Sequence, residues 1–223
     1  MPTLDTTPTP LCLADDATFW PWRTWADFAE QPKKAETTII FPVIGFADWG
    51  LDAPLDIEET VALSVLRAAL QRPEAPASRL LVLPPQRFMT GTHPSCAFAV
   101  DAPTAHATLE EWCLSVAASG FRRIVFFNSS PWNEELIDAA ARDIRIEHGL
   151  QMFCVNVSAL GLDFAPWRGG DRALLRQLIA ELHGPESGGP TLEATSTRLA
   201  RLFGEIDARP PLPRDGALLN LTR

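Results

Sequence analysis

Apolar and polar positions along the chain predict strands and helices in turn. Four runs dense in β-branched and aromatic residues fill consecutive positions, which is typical of strands that are buried on both faces. Helical periodicity follows each run, and this order predicts a mostly parallel sheet with helices on both sides, an α/β fold. The predicted strands span residues 37–45, 79–85, 122–128 and 152–158.

The predicted helices carry start and stop signals. Thr24 is an expected N-cap, and the acidic turn that opens at Asp56 suits the positive end of a helix dipole. Gly120 and Gly149 follow two periodic segments, as expected of helix ends. Pro42 lacks a backbone donor, so we expect the first strand to lie at a sheet edge or to bulge there. The predicted helices span residues 24–31, 56–72, 107–121, 131–149, 171–182 and 191–206, with a loop predicted at 86–104.

Length and composition predict how the chain is organised. A chain of 223 residues without a long linker or an internal repeat favours one domain. We expect a loose, Thr- and Pro-rich N-terminal arm at 1–21, a single domain at 22–208 and a C-terminal tail at 209–223. The absence of a long apolar run and of a signal-like start predicts a cytoplasmic protein that does not enter a membrane.

Charge and cysteine content narrow the choice of partners. The formal net charge of -9 argues against nucleic-acid binding, which needs a basic surface. Four isolated cysteines form neither a metal-binding pair motif nor a dense disulfide framework, so reduced thiols are expected. These cysteines are Cys12, Cys96, Cys113 and Cys154.

Three polar loops are candidates for chemistry, because ligands of α/β proteins bind beyond the carboxyl ends of the strands. They span residues 46–59, 128–134 and 181–190. Each also has a structural interpretation. Residues 128–131 are typical of helix capping, the acids near Asp56 suit a helix dipole, and the last loop has the composition of a flexible connection.

The order of the loops resembles the creatininase (creatinine amidohydrolase) family. Four signatures of that family follow one another over residues 22–205, and such a series is more specific than one motif. The resemblance implies a three-layer α/β/α fold with a mostly parallel sheet. The matching residues are Pro42, Val43, Gly45, Gly50, Pro54 and Leu55; Pro84, Pro85, His93 and Phe98; Gly120, Phe121, Asn128 and Asn133; and His183, Gly184, Glu186 and Glu193–Ser196.

The positions that bind metal in the family are changed in this chain. The resemblance implies a pair of divalent metals, whose ligands correspond to Ala47, Trp49, Glu58 and Ser130, with Trp132 where some members supply a carboxylate. Ala and Trp offer no useful lone pair to a cation, so Glu58 is the one credible ligand. We therefore expect no metal cofactor.

An all-carboxylate site is the alternative that the spacing leaves open. Asp48, Asp52 and Asp56 recur at every fourth residue, and oxygen ligands would favour Mg²⁺ or Ca²⁺. Against this alternative, Gly50 and Pro54 interrupt any helix that would align the three carboxylates.

The resemblance also implies site residues. His183 matches a proton-transfer histidine of the family, with Glu186 nearby, although a solvent-facing histidine at a helix end is the plainer interpretation of His183. The two tryptophans at former ligand positions would fill the cleft or create a site for a flat ligand or a partner. The expected substrate-binding residues are Asp48, Trp49, Asp52, Glu58, His93, Ser130, Trp132 and Asn133.

Two functions from different classes remain. The first is a non-hydrolytic homologue that binds a small molecule, a peptide or a protein partner, because several ligands have been lost together. The second is an amidohydrolase that cleaves a C–N bond of a cyclic amide or small peptide, with His183 as acid or base and a noncanonical metal site. The resemblance further implies a homo-oligomer, and a structural subunit paired with an active paralogue is a third possibility.

Overall fold

The computed structural model of the protein describes residues 18–50, 54–91, 93, 95–183 and 189–212. Asp52, Glu186 and Cys12, which the sequence analysis singles out, lie outside the described residues. So do residues 1–17 and 213–223, which hold most of the expected arm and tail. The division into arm, domain and tail stays a prediction.

A parallel sheet forms the centre of the molecule. Its order is β2-β1-β4-β5, and the short β3 also pairs with β1. All four pairings are parallel, which confirms the predicted α/β class. The strands are β1 (Thr38–Ile44), β2 (Leu80–Val82), β3 (Gln86–Arg87), β4 (Arg123–Asn128) and β5 (Gln151–Asn156).

Helices cover both faces of this sheet. Ile39, Phe41 and Val43 join the core on one face, and Ile40 and Ile44 join the core on the other, because successive side chains of a strand point in opposite directions. Helices α2, α5 and α6 pack on the second of these faces, while α1, α3 and α4 pack on the first. The helices are α1 (Trp25–Glu30), α2 (Ile57–Leu70), α3 (Ala102–Ala118), α4 (Glu134–His148), α5 (Arg172–His183) and α6 (Pro190–Asp207).

The region between β2 and α3 differs from the prediction. The segment predicted as a loop at 86–104 contains β3 and the start of α3. Helix α3 begins early because Asp101 caps it: the Asp101 side chain accepts a hydrogen bond from the backbone N of Thr104 at 2.9 Å, and Pro103 occupies the first turn, where proline is tolerated. By contrast, the Thr24 cap of α1 is confirmed, and Thr24 and Asp27 form a capping box.

Pro42 lies in a central strand of the sheet and not in an outer strand. Its register with β4 is unbroken, since Phe41, Pro42 and Val43 face successive residues of that strand. On the other side, β1 pairs first with β2 and then with β3. The segment from Val82 to Gln86 is one residue longer than the segment of β1 that it faces. The irregularity expected of a proline therefore lies in the segment that joins β2 to β3, and not in β1 itself.

The amino ends of the strands form one side of the sheet, which we call the amino edge. A buried arginine, Arg123, stabilises it. Arg123 is 1% exposed, and its guanidinium donates to Oε1 of Gln151 at 3.0 Å. It also donates to the carbonyl oxygens of Glu36 at 3.2 Å, Asp207 at 3.4 Å and Arg209 at 2.5 Å. Arg123 thus ties the start of β4 to the end of α6.

Near the chain start, Phe19 is buried and bridges to Val82, so it belongs to the core. None of the helices in the described ranges combines the length and hydrophobicity that a transmembrane span requires.

Candidate functional site

The candidate site lies at the carboxyl ends of β1 and β4, on the side of the sheet that we call the carboxyl edge. β1 continues into a loop that begins at Gly45, and α2 starts shortly after that loop. Because β1 and β4 are adjacent and parallel, residues just beyond each strand meet at this edge. The loop is pinned to residues 95–97: Asp48 N donates to Ser95 O at 2.8 Å, and Ala97 N donates to Phe46 O at 2.9 Å.

Glu58 lies in the first turn of α2 and is fully buried at this edge. The indole Nε1 of Trp49 donates to Glu58 Oε1 at 3.1 Å, and the hydroxyl of Ser129 donates to Glu58 Oε2 at 3.2 Å. Burial raises the pKa of Glu58 from its ordinary value of 4.5 to about 8, although these hydrogen bonds oppose the shift. Glu58 is therefore a neutral carboxylic acid near pH 7.

The space around Glu58 is closely packed. A Cβ atom on Gly45 would lie 2.5 Å from Glu58 Oε2, from the Met89 sulfur and from the Cβ of Ser130. Gly45 N donates to the Ser129 hydroxyl at 3.0 Å, which fixes that hydroxyl toward Glu58. Glycine is thus required at position 45 because three neighbours approach its backbone closely.

Aromatic side chains fill the cleft above Glu58. The ring centroid of Trp49 lies 5.1 Å from that of Trp132 and 4.9 Å from that of Phe164. Trp132 also contacts Trp167 at 5.0 Å and His93 at 6.2 Å. Trp49 is buried, Trp132 is half-buried, and Trp167 and His93 are exposed. The aromatic stack therefore runs from the core to the surface.

Polar residues after β4 are engaged in holding loops together. The side-chain amide of Asn133 donates to Phe88 O at 2.9 Å, and its carbonyl oxygen accepts from Thr90 N at 3.0 Å. Asn128 bonds the backbone of Ser130 in both directions and donates to Asn156. Asn133 and Ser130 are both buried. Both were expected to bind substrate, and the structure buries both side chains.

The loop that carries Trp167 is fixed by a charge network. Arg168 donates to both carboxylate oxygens of Glu134, at 2.5 and 3.0 Å, and lies 3.2 Å from the carboxylate of Asp163. Ser158 donates to Glu134 as well, at 2.6 Å. These partners raise the pKa of Arg168, which therefore stays charged.

The end of α5, where the backbone of His183 lies, is away from this edge. The Glu181 carboxylate accepts from the backbone N of Leu192 at 2.9 Å, so the end of α5 lies against the start of α6. Arg72, just beyond α2, donates to the Ser196 hydroxyl at 3.0 Å and to Glu193 O at 3.1 Å.

The length of α2 separates the two groups. The twelve helical steps from Glu58 to Leu70, the last residue of α2, correspond to about 18 Å. The structure does not bring the end of α5, where the backbone of His183 lies, to the Glu58 site.

Other expected site residues are exposed at the sheet edge. Asp48 is exposed, and its carboxylate accepts from Gly50 N at 2.8 Å. His93 accepts from Ser95 N at 3.2 Å through Nδ1. The sequence analysis missed the role of Ser129 and Phe164. The position of Ser129 directly after a buried strand was a usable signal, but a helix-capping role explained it equally well.

A dinuclear metal centre does not fit the residues around Glu58. Ala47 and Trp49 offer no ligand atom, and the space beside Glu58 is taken by packed side chains. Both carboxyl oxygens of Glu58 already accept hydrogen bonds, one from Trp49 and one from Ser129.

A different group in the described residues has the composition of a metal site. Glu110, Glu147 and His148 each offer one ligand atom, and these atoms lie within 4.8 Å of one another. Nε2 of His148 lies 2.6 Å from Oε1 of Glu110. The group lies on α3 and α4, across the sheet from Glu58.

Comparisons with known proteins agree with this fold. The family model of creatininase, described as creatinine amidohydrolase, matches residues 22–188. A solved creatinine amidohydrolase (creatininase) is 16% identical with a TM-score of 0.59, over 86% of this chain and 99% of its own. A mutant creatininase complexed with creatine is 15% identical with a TM-score of 0.59, over the same shares. No curated protein matches the chain significantly.

The expectation that the protein has no metal cofactor is wrong. A solved structure named as the Mn form of creatininase is 16% identical with a TM-score of 0.58, over 86% of this chain and 99% of its own. In addition, Glu110, Glu147 and His148 form a group that could hold a metal ion. The error arose because only the family's ligand positions were considered. Because the family model matches residues 22–188, more than half of the chain, and the α/β/α fold is observed, the chain belongs to the creatininase family.

Proposed function

We propose that this protein is a non-hydrolytic member of the creatininase family that binds a ligand or partner at the aromatic edge of its sheet. One observation carries the proposal. Glu58, at the one retained ligand position of the family site, is a fully buried, neutral acid that is hydrogen-bonded to Trp49.

Amide hydrolysis needs an activated water and a polarised carbonyl group. The residues around Glu58 supply neither, because Ala47 and Trp49 occupy positions where ligands would stand. A neutral carboxylic acid could in principle donate a proton. Glu58, however, is 0% exposed, and the Trp49 indole lies against its oxygen, so a substrate would not reach it.

The aromatic stack supports a binding role. Indole rings offer a wide apolar face together with one hydrogen-bond donor, and such residues are frequent in interfaces. We further propose that the protein is cytoplasmic and assembles as a homo-oligomer. Free thiols at Cys96, Cys113 and Cys154 support a reducing compartment, and the family resemblance supports assembly.

Hydrolysis assays test the proposal. Purified protein is incubated with creatinine, other cyclic amides and dipeptides, with added Mn²⁺ or Zn²⁺, and product is measured by mass spectrometry. We expect no product above the level of the protein-free control. Glu58→Gln and the variant of its half-buried neighbour, Glu59→Gln, are expected to give the same result as the wild type.

Turnover by the wild type that disappears in Glu58→Gln but persists in Glu59→Gln would contradict the proposal. Turnover that disappears in His183→Ala would instead support the amidohydrolase alternative. Elemental analysis of the same samples reports any bound metal. Loss of that metal in Glu110→Gln would assign it to the group on α3 and α4.

A further inference from the structure

A second polar group lies on the face of the sheet opposite Glu58, where α3 packs against α4. Nε2 of His148, on α4, lies 2.6 Å from Oε1 of Glu110, on α3. Glu147 adds a carboxylate, and the three ligand atoms all lie within 4.8 Å of one another. We call Glu110, Glu147 and His148 the interhelix group. Two helices thus bring together one nitrogen ligand and two oxygen ligands.

The packing of α3 on α4 fixes the position of the interhelix group. His106 lies one turn before Glu110 on α3, and Asp143 lies one turn before Glu147 on α4, so each pair shares one face of its helix. Nε2 of His106 lies 3.4 Å from Oδ2 of Asp143. The two helices therefore contact each other at successive turns, and the group is positioned by regular helices and not by a loop.

The surroundings of the interhelix group favour a cation. In the described residues, neither Glu110 nor Glu147 forms an ion pair with an arginine or a lysine. Arg145, in the last turn of α4, donates to Met152 O instead. His148 ends α4, and the carboxyl end of a helix carries a partial negative charge. Even a protonated His148 can balance only one of the two carboxylates, so negative charge is left over at this position.

The types of ligand atom select the metal. Sites made only of oxygen suit Mg²⁺ and Ca²⁺, whereas an imidazole nitrogen favours transition metals, among which Zn²⁺ binds more tightly than Mn²⁺. The ligand atoms of a tetrahedral Zn²⁺ site lie roughly 3.3 Å apart. The present separations, 2.6 Å for His148 and Glu110 and at most 4.8 Å within the group, differ from this value by about 1.5 Å or less. Rotation of side chains, above all of the exposed Glu147, can supply such a change.

We propose that the interhelix group binds one Zn²⁺ ion, which links α3 to α4. Glu110 supplies the ligand from α3, Glu147 and His148 supply those from α4, and water completes the fourth position. The site lies on the opposite face of the sheet from Glu58 and uses none of the residues of the aromatic stack. The proposal therefore goes beyond the proposed function and does not rest on it.

Titration of the metal-free full-length chain with Zn²⁺, in competition with a chromogenic chelator, tests this inference. We expect saturable binding of one Zn²⁺ per chain and no saturable binding of Mg²⁺ over the same range of concentration. His148→Gln should weaken Zn²⁺ binding by at least about tenfold, an effect that even residues which only support a ligand have when they are changed. His106→Gln is the matched control and should change binding by less than about twofold, because His106 faces one carboxylate and belongs to no three-ligand group in the described residues.

The carboxylates are tested with two variants of equal net charge. Glu110→Gln keeps the size of the side chain and should weaken Zn²⁺ binding by at least about tenfold. Glu111→Gln removes the exposed carboxylate of the next residue and should change binding by less than about twofold. Zn²⁺ should raise the thermal unfolding midpoint of the wild type and of Glu111→Gln but not that of Glu110→Gln, because a metal that binds the folded state stabilises it. Circular dichroism without metal checks that all variants fold.

Absence of Zn²⁺ binding would overturn the inference, as would binding that is unchanged in His148→Gln or Glu110→Gln. Equal weakening in a variant and its control would also overturn it, because the net charge of the chain would then explain the binding. Mg²⁺ that binds as tightly as Zn²⁺ would lead to the same conclusion. None of these results decides the hydrolysis assay, so the failure of this inference leaves the non-hydrolytic proposal standing, whereas turnover contradicts that proposal whether or not the interhelix group binds Zn²⁺.

Discussion

Two buried ionisable residues lie at opposite edges of the sheet and are accommodated in opposite ways. Arg123, at the amino edge, is 1% exposed and donates to four oxygen acceptors. Glu58, at the carboxyl edge, is 0% exposed and has two neutral donors, Trp49 and Ser129. Burial lowers the pKa of Arg123 and raises that of Glu58, so it disfavours the charged form of both.

The difference separates a buried charge that has compensating partners from a buried acid that has none. Arg123 stays charged because carbonyl oxygens and Asp207 compensate it, and it joins β4 to the end of α6. No cation lies beside Glu58 in the described residues, so a proton neutralises it. Aromatic rings fill the cleft beside Glu58.

The largest expected effect comes from removing the compensated charge. Arg123→Met leaves four acceptors without their donor, and we expect the free energy of unfolding to fall by about 3–5 kcal/mol. Urea titration measures this change. Arg122→Met, at the exposed neighbouring position, is the control and is expected to change stability by less than about 0.5 kcal/mol. Similar losses in both variants would show that Arg123 does not have the role assigned to it.

The pH dependence of stability should report on the uncompensated acid. The folded protein keeps the Glu58 proton up to a pKa of about 8, whereas the unfolded chain releases it near 4.5. The folded state therefore binds more protons between these values. The contribution of Glu58 to stability should be greatest below pH 4.5 and should fall by about 1.4 kcal/mol per pH unit as pH rises toward 8.

Glu58→Gln should remove this dependence, because an amide does not titrate. The variant is expected to be more stable than the wild type at pH 8 and similar to it at pH 5. Urea titrations of both proteins from pH 5 to pH 9 measure the effect, with Glu59→Gln as the control. Parallel curves for wild type and Glu58→Gln would show that Glu58 is ionised in the folded protein.

A smaller effect is expected from Trp49→Phe. The variant keeps an aromatic ring but loses the 3.1 Å hydrogen bond to Glu58, which costs about 1 kcal/mol. Because that bond lowers the pKa of Glu58, its loss should raise the pKa further. Thermal unfolding, with Trp25→Phe as the control, measures the first effect. An unchanged stability would mean that the indole N–H does not contribute.

The sheet and its layers could be predicted because the strands are buried on both faces and the helices have clear periodicity. A run of apolar, largely β-branched residues such as Ile39 to Ile44 predicts a buried strand of this kind. The short β3 could not be predicted, since Gln86 and Arg87 have no strand pattern and pair only because β1 continues past β2. Tertiary context decides such elements.

The site could be predicted in part. The loss of ligands at Ala47 and Trp49 is visible in the sequence once the family signature is aligned. The hydrogen bond between Trp49 and Glu58 is not visible there, because it depends on how α2 packs on β1. The placement of the end of α5 at the far end of α2 also depends on packing, and the periodicity of each helix does not predict it.

The most direct test of the account is the titration of the Glu58 carboxyl carbon, followed by NMR in protein labelled with ¹³C-glutamate and assigned by comparison with Glu58→Gln. The account predicts a single midpoint near pH 8 that is unchanged when Zn²⁺ is added. A midpoint below about pH 5, or one that Zn²⁺ lowers, would show an ionised carboxylate that is available to a metal, and would contradict a neutral, enclosed acid at this site.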